Sequence, residues 1–429
     1  MFLNRPVNFI LYFFKETASI LVSQKEKITE SFKAVQGNTK ILLITGVFYT
    51  IPMVWFATYL PLYMIALIPQ IIGLILGGHL VDIWGRKKVL VLFNTICWIT
   101  SCSILLLSQN LWAVLIAMCL LGFTSIVIPG WNCLFVENTV VEKRPLLFSI
   151  AQISFVGSGL FMPIAGIIVK KFGILFGCRI LFGIIILFVL FAFIIRQKNL
   201  VETKMQILEK ISKPNFVKEY IVIIKKVFLD TNLTFFLIIQ TITLFTTLAW
   251  NTYFPIYITD EKGIGIDKAT ISILPFIFSG LFVSMALLMP QFDIEKQLRN
   301  RLLYGMRFIA LSSILLLLSP SHTMVLLFIL TFILGLGTIL FIPVINAYGA
   351  NIMKDNERAK ISAVILILAT LFSILAVPVA GKLYEINPKL TFLFIVSLQF
   401  ATILFIQNKF KIDTSSSNKK RLKEVINET

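Results

Sequence analysis

Charge is what this sequence has least of. Only 14% of its residues are Asp, Glu, Lys or Arg, whereas soluble globular chains carry about a quarter, so there is too little charge to cover a water-exposed surface. Histidine occurs twice and cysteine five times. Cys97, Cys102, Cys119, Cys133 and Cys178 all fall in or beside apolar runs without metal-ligand spacing, which excludes a zinc site or a disulfide framework and leaves them as small hydrophobes. No Asp or Glu lies in the middle of an apolar run, and no His, Cys, Ser or carboxylate constellation of catalytic type is present. The chain is not expected to be an enzyme, and no metal or cofactor is implied.

What the sequence does have is hydrophobic length. Of its 429 residues 58% are hydrophobic, and the mean hydropathy is +0.91. Apolar runs of roughly 20 residues, enough to cross a bilayer as helix, recur at 41–60, 61–81, 89–108, 111–135, 146–169 and 174–195, then at 232–258, 269–290, 302–319, 323–348, 360–383 and 390–406. The expected organisation is an all-α polytopic membrane protein of twelve transmembrane helices. An amphipathic N-terminal segment (1–40) precedes a six-helix bundle (41–195), a basic linker (196–231), a second bundle (232–406) and a basic tail (407–429). Within the first 24 residues, Leu3, Val7, Leu11, Phe14, Ala18 and Leu21 recur at helical spacing. The apolar stretch is short and broken by Lys15 and Glu16, so an uncleaved surface helix is expected rather than a signal peptide or a further span.

The formal charge of +18 comes from 39 basic and 21 acidic residues. The basic residues gather between apolar runs, where phospholipid headgroups lie, and are not interleaved with aromatics, which sets aside nucleic acid as a partner. With both termini inside, 31 of the 39 Lys and Arg fall on the cytoplasmic side, as the positive-inside rule requires. The expected location is the cell membrane, with lipid as one partner. Arg307 is the one charge well inside a run; it either snorkels toward Arg301 and the surface or serves a substrate.

The chain also repeats itself. Thr58-Tyr59-Leu60-Pro61-Leu62-Tyr63 matches Thr252-Tyr253-Phe254-Pro255-Ile256-Tyr257, Ile128-Pro129 with Asn132 matches Ile342-Pro343 with Asn346, Arg144 matches Arg358, and Pro163 with Gly166 matches Pro378 with Gly381. Two halves with the same order of features imply a parallel duplication, a design found in secondary transporters. The copies differ in one place: Pro61 to Asp82 is 21 positions and Pro255 to Asp293 is 38. Either the first two spans reverse very tightly near Leu60-Pro61, or a segment has been deleted and the protein is impaired.

At the end of the second span stands Gly78-His79-Leu80-Val81-Asp82-Ile83-Trp84-Gly85-Arg86-Lys87-Lys88. Gly85 permits a tight reversal, and Asp82 sets a carboxylate among three cations, where it can also approach the positive end of a facing helix. This stretch resembles the signature of the major facilitator superfamily between its second and third helices. Glu137 to Arg144 is similar to that family's acidic-then-basic loop, and Gly177-Cys178-Arg179-Ile180-Leu181-Phe182 to its entrance into helix six. Ile83, Met118 and Met162 stand where the family usually has a basic residue, Arg and Gly. The resemblance covers residues 40–406. It implies a transporter in which Gly78, Asp82, Gly85, Arg86 and Lys87 form a loop that latches the halves together; the alternative is that Arg86, Lys87 and Lys88 only anchor headgroups.

In this fold helices one, four, seven and ten are expected to line the cavity. Here they offer Tyr49, Trp55, Trp131, Asn132, Gln240, Trp250, Asn251, Asn346 and Tyr348, all uncharged. Such a lining suits a neutral, amphipathic or aromatic small molecule, although aromatics at helical spacing also serve as packing or interface anchors. Asn132 and Asn346 each follow a proline by three residues, where broken backbone would expose polar groups or give the amides carbonyls to bond. The expected protein is a monomeric secondary transporter, exporting rather than importing, with a coupling ion such as a proton. A non-transporting sensor or decayed copy, and uptake of a sugar or other polar metabolite, are the alternatives.

Overall fold

The computed structural model describes residues 35–59, 63–108, 110–137, 139, 144–203, 216–266, 273–288, 298–354 and 357–427, with no strand among them. The first half comprises α1 (Gly37–Tyr59), α2 (Tyr63–Trp84), α3 (Arg86–Leu107), α4 (Leu111–Phe123), α5 (Ile128–Val136), α6 (Arg144–Gly157), α7 (Met162–Phe172) and α8 (Ile174–Asn199). A linker helix, α9 (Phe216–Leu229), leads into the second half: α10 (Thr231–Thr259), α11 (Ile273–Leu288), α12 (Leu298–Leu317), α13 (Met324–Ile352), α14 (Arg358–Ser373), α15 (Ala376–Ile386) and α16 (Pro388–Asn427). Nine described segments are long and apolar enough to cross a membrane, and Ile68–Trp84 and Leu274–Ser284 are shorter apolar helices. Large apolar residues such as Trp112, Ile167, Leu187 and Leu404 are exposed, an arrangement that lipid tolerates and water does not. The surface helix expected near the N-terminus, the Leu60-Pro61 reversal and the region of Asp293 lie outside the described residues.

Prolines mark the breaks. The fourth span is α4 and α5 joined by a turn of 3₁₀ helix at Thr124–Val127, ahead of Pro129, and the fifth is α6 and α7 joined by another at Ser158–Phe161, ahead of Pro163. Proline has no N–H and crowds the preceding turn, so a new helix starts with it in its first turn. The break in the fourth span is packed: Ser125 donates to the Gln70 carbonyl at 2.6 Å. A Cβ on Gly77 would stand 2.2 Å from the Ile126 carbonyl oxygen. The repeat is not kept here, because α13 runs unbroken through Pro343. The broken backbone expected at both asparagines therefore exists only near Asn132. Helix α13 is pressed along α12 ahead of the proline, where a Cβ on Gly337 would meet the Gly305 carbonyl oxygen at 2.7 Å.

Two stretches expected to be linker and tail are ordered as helix. Helix α8 continues to Asn199, so Arg196 lies in the bundle, 2% exposed. Helix α16 runs on through the expected tail to Asn427. The halves meet where α2 and α5 pack on α14, and where α6 packs on α11 and α13.

Candidate functional site

The site begins at the turn between α2 and α3. Gly85 adopts φ 89° and ψ 155°, a conformation open to glycine and strained for other residues. Its bare backbone lets the Glu202 carboxylate approach, since a Cβ there would lie 2.7 Å from Glu202 Oε2. The first two N–H groups of α3 then donate to that carboxylate, Arg86 N to Oε1 and Lys87 N to Oε2, both at 2.9 Å. An anion capping a helix N-terminus satisfies orphan donors and the helix dipole together. The Arg86 side chain is buried, donates to Thr203 Oγ1 at 3.1 Å and forms an ion pair with Glu137. Arg86 thus ties the loop after the second span to the ends of the fourth and sixth spans. Glu202 carried no signal in the sequence beyond being an acid among lysines.

On the same face, contacts cross between the halves. Asp82 Oδ2 lies 3.3 Å from Lys360 Nζ in the first turn of α14. Asn132 Nδ2 donates to Ser362 Oγ at 3.0 Å, and Arg144 Nη1 donates to Asn351 Oδ1 at 2.9 Å and to the Ala350 carbonyl at 3.4 Å. Arg358, the repeat partner of Arg144, donates to the same Ala350 carbonyl at 3.2 Å and to that of Met353 at 3.2 Å. Two guanidinium groups thereby converge on the negative end of α13. The linker helix adds a wedge. Tyr220 is buried and its hydroxyl donates to the Ile75 carbonyl of α2 at 2.7 Å. Gly78 makes room for it, because a Cβ there would stand 2.5 Å from the Tyr220 hydroxyl and 3.1 Å from Ala363 Cβ. Lys226 of the same linker helix pairs with Glu357.

Two cavities formed by described residues lie behind this face. The smaller, about 230 Å³, sits between the halves and takes in Trp131, Asn132, Gln240 and Asn346. Trp131 stacks on Phe135 at 4.5 Å, and Gln240 Nε2 donates to Asn346 Oδ1 at 3.4 Å. The larger, about 470 Å³, is formed by the second half together with Gln152, and Trp250 and Asn251 line it. Trp250 stacks on Phe254 there, with centroids 4.9 Å apart and planes 13° from parallel. Among the described residues that line the larger cavity there is no Asp, Glu, Lys, Arg or His.

Three expected cavity residues lie elsewhere. Tyr49 is buried in the first half under the Arg196 guanidinium, which sits 4.3 Å from its ring centroid and donates Nε to Thr45 Oγ1 at 2.8 Å. Trp55 is buried, its Nε1 donating to the Phe161 carbonyl at the break in the fifth span at 3.3 Å. Tyr348 packs edge-on against Phe235 and bonds Asn232 Oδ1 at 3.4 Å. Tyr348 sits on α13, which lines both cavities, but its side chain turns into a packing face; Tyr49 and Trp55 sit on α1, none of whose described residues lines either cavity. Arg307 is exposed beside the Tyr304 ring, 5.6 Å away, rather than in a cavity.

A family model described as Major Facilitator Superfamily matches residues 62–377. The chain belongs to the major facilitator superfamily. This facilitator is accordingly a multi-pass membrane transporter, and solved structures share its fold at low identity. The human organic anion transporter MFSD10 (TETRAN) superposes with a TM-score of 0.68 at 11% identity, over 88% of this chain and 99% of the other. The proton:xylose symporter XylE, solved with 6-bromo-6-deoxy-D-glucose, gives 0.64 at 14%, over 90% and 96%. A bacterial homologue of the iron transporter ferroportin in an outward-facing state gives 0.64 at 12%, over 89% and 100%. No curated protein matches the facilitator in sequence.

Proposed function

We propose that this facilitator is a secondary active transporter working by alternating access, its two six-span halves rocking about a central site in the cell membrane. Its cargo is a neutral or amphipathic organic solute moved outward, with a proton as coupling ion, and the face bearing Gly85 is cytoplasmic, as are both termini. One observation carries this reading: the Gly85 face is tied across the halves by Asp82, Asn132 and Arg144 and to the linker helix by Tyr220, while uncharged aromatic and amide groups line the larger cavity behind it. Contacts that close one face and must part in the other state are what a two-state carrier needs. The chain acts as a monomer.

Growth of an overproducing strain, compared across toxic compounds and carbon sources, identifies a cargo for flux measurement in reconstituted vesicles. Asp82→Ala should then slow flux; flux equal to that of the unsubstituted protein would refute the latch. A second reading, a non-transporting sensor or impaired copy, is favoured by the sequence spacing, 21 positions from Pro61 to Asp82 against 38 from Pro255 to Asp293. Saturable binding of the compound without flux would support the sensor.

A further inference from the structure

Four threonine hydroxyls of the larger cavity are oriented by their own helices, and this decides the chemistry they offer. Thr246 donates to the Ile242 carbonyl at 2.9 Å, Thr331 to Leu327 at 2.6 Å, Thr338 to Leu334 at 2.7 Å and Thr402 to Leu398 at 2.9 Å. A carbonyl oxygen can only accept, so each hydroxyl has committed its single hydrogen to its helix and keeps only lone pairs for anything else. The cavity is therefore rich in acceptors. It also holds two groups that the protein leaves unsatisfied: Gln399 Oε1 and Thr243 Oγ1 are buried without a hydrogen-bond partner, and both residues line this cavity. Gln399 is 5% exposed and comes from the twelfth span, α16. An amide oxygen kept from water with no donor is costly, and a ligand that brings a donor removes that cost.

The remaining features narrow the ligand further. Trp250 and Phe254, stacked at 4.9 Å, form a flat apolar wall. With no charged side chain among the described lining residues, an ionised ligand would lose its hydration with no counter-charge from them to replace it. We propose that this cavity selects uncharged compounds that carry a hydroxyl or N–H donor beside an apolar ring, and that Gln399 is the residue that reads the donor. The inference rests on the reading above that this cavity receives the cargo.

A matched pair of probes tests it: 2-naphthol and its methyl ether, 2-methoxynaphthalene, in which a methyl group replaces the donor hydrogen, so that the change of their affinity ratio on substitution of the protein reports the donor. Binding of each to the detergent-purified full chain is measured by equilibrium dialysis, with protein-free micelles subtracted. The unsubstituted protein should bind 2-naphthol roughly fivefold to tenfold more tightly than the ether, the worth of one hydrogen bond. In Gln399→Leu that ratio should fall close to one, and 2-naphthoate should not compete. Thr243→Val, which keeps the shape of the side chain, should narrow the ratio in the same sense and decides the matter if Gln399→Leu does not fold. A ratio near one in the unsubstituted protein, or a ratio that survives both substitutions, overturns the donor inference alone. Absence of saturable binding by either compound overturns it too, and with it the assignment of cargo to this cavity.

Discussion

Tyr220 gives the sharpest handle on the closed face. Its hydroxyl is buried and donates to the Ile75 carbonyl at 2.7 Å across the junction of linker helix and second span. Removing the hydroxyl in Tyr220→Phe costs the net worth of one such bond, about 1 kcal/mol, which shifts the balance toward the opened face by roughly fivefold. Gly78→Ala acts on the same contact from the other side, because its Cβ would stand 2.5 Å from that hydroxyl oxygen and 3.7 Å from the ring carbon that bears it. The first distance forces a shift and the second is ordinary contact, so the alanine should do far more harm in the presence of the hydroxyl than after its removal. The two substitutions are therefore expected to be strongly non-additive. The assay is the alkylation rate of Gln240→Cys, a position in the smaller cavity, by a membrane-impermeant maleimide applied to the Gly85 face, with the five native cysteines replaced. Tyr220→Phe should raise the rate roughly fivefold. An unchanged rate, or effects of Gly78→Ala and Tyr220→Phe that simply add, would refute the wedge.

Two further substitutions probe the fold that supports this face. Glu202→Ala removes the carboxylate that receives Arg86 N–H and Lys87 N–H and should cost about 1 to 2 kcal/mol, the range for a lost helix cap, read as a lower thermal midpoint in detergent. Gly77→Ala should abolish stable expression, because the new Cβ would meet the Ile126 carbonyl oxygen at 2.2 Å, whereas Gly166→Ala has nothing within 4 Å and should be silent; equal yields of the two variants would refute the packing described between the second and fourth spans.

Much of the site was legible because its constraints are local. Gly85 and Asp82 stand in one short stretch, and the need for a left-handed turn beside a helix start is written in neighbouring residues. Arg196 was misplaced for a related reason: run length located it in a basic linker, but its burial depends on Thr45 and Tyr49, which are about 150 positions away. Asn132 was singled out by its place three residues after Pro129, and its partner is Ser362 of the other half rather than a freed carbonyl.

The sequence by itself determined that the chain lives in lipid and that it is built twice, because length, hydropathy and repetition act along the chain and need no knowledge of what touches what. Tertiary structure alone decided which aromatics face a cavity. Trp250 and Tyr348 both sit on cavity-forming helices, but a helix has several faces, and only the neighbours across the bundle settle that Trp250 meets open space while Tyr348 packs against Phe235. The same holds for the acceptor-rich character of the larger cavity. It arises from Gln399 arriving from the far end of the chain beside threonines already bonded to their own helices, a coincidence of place rather than of spacing.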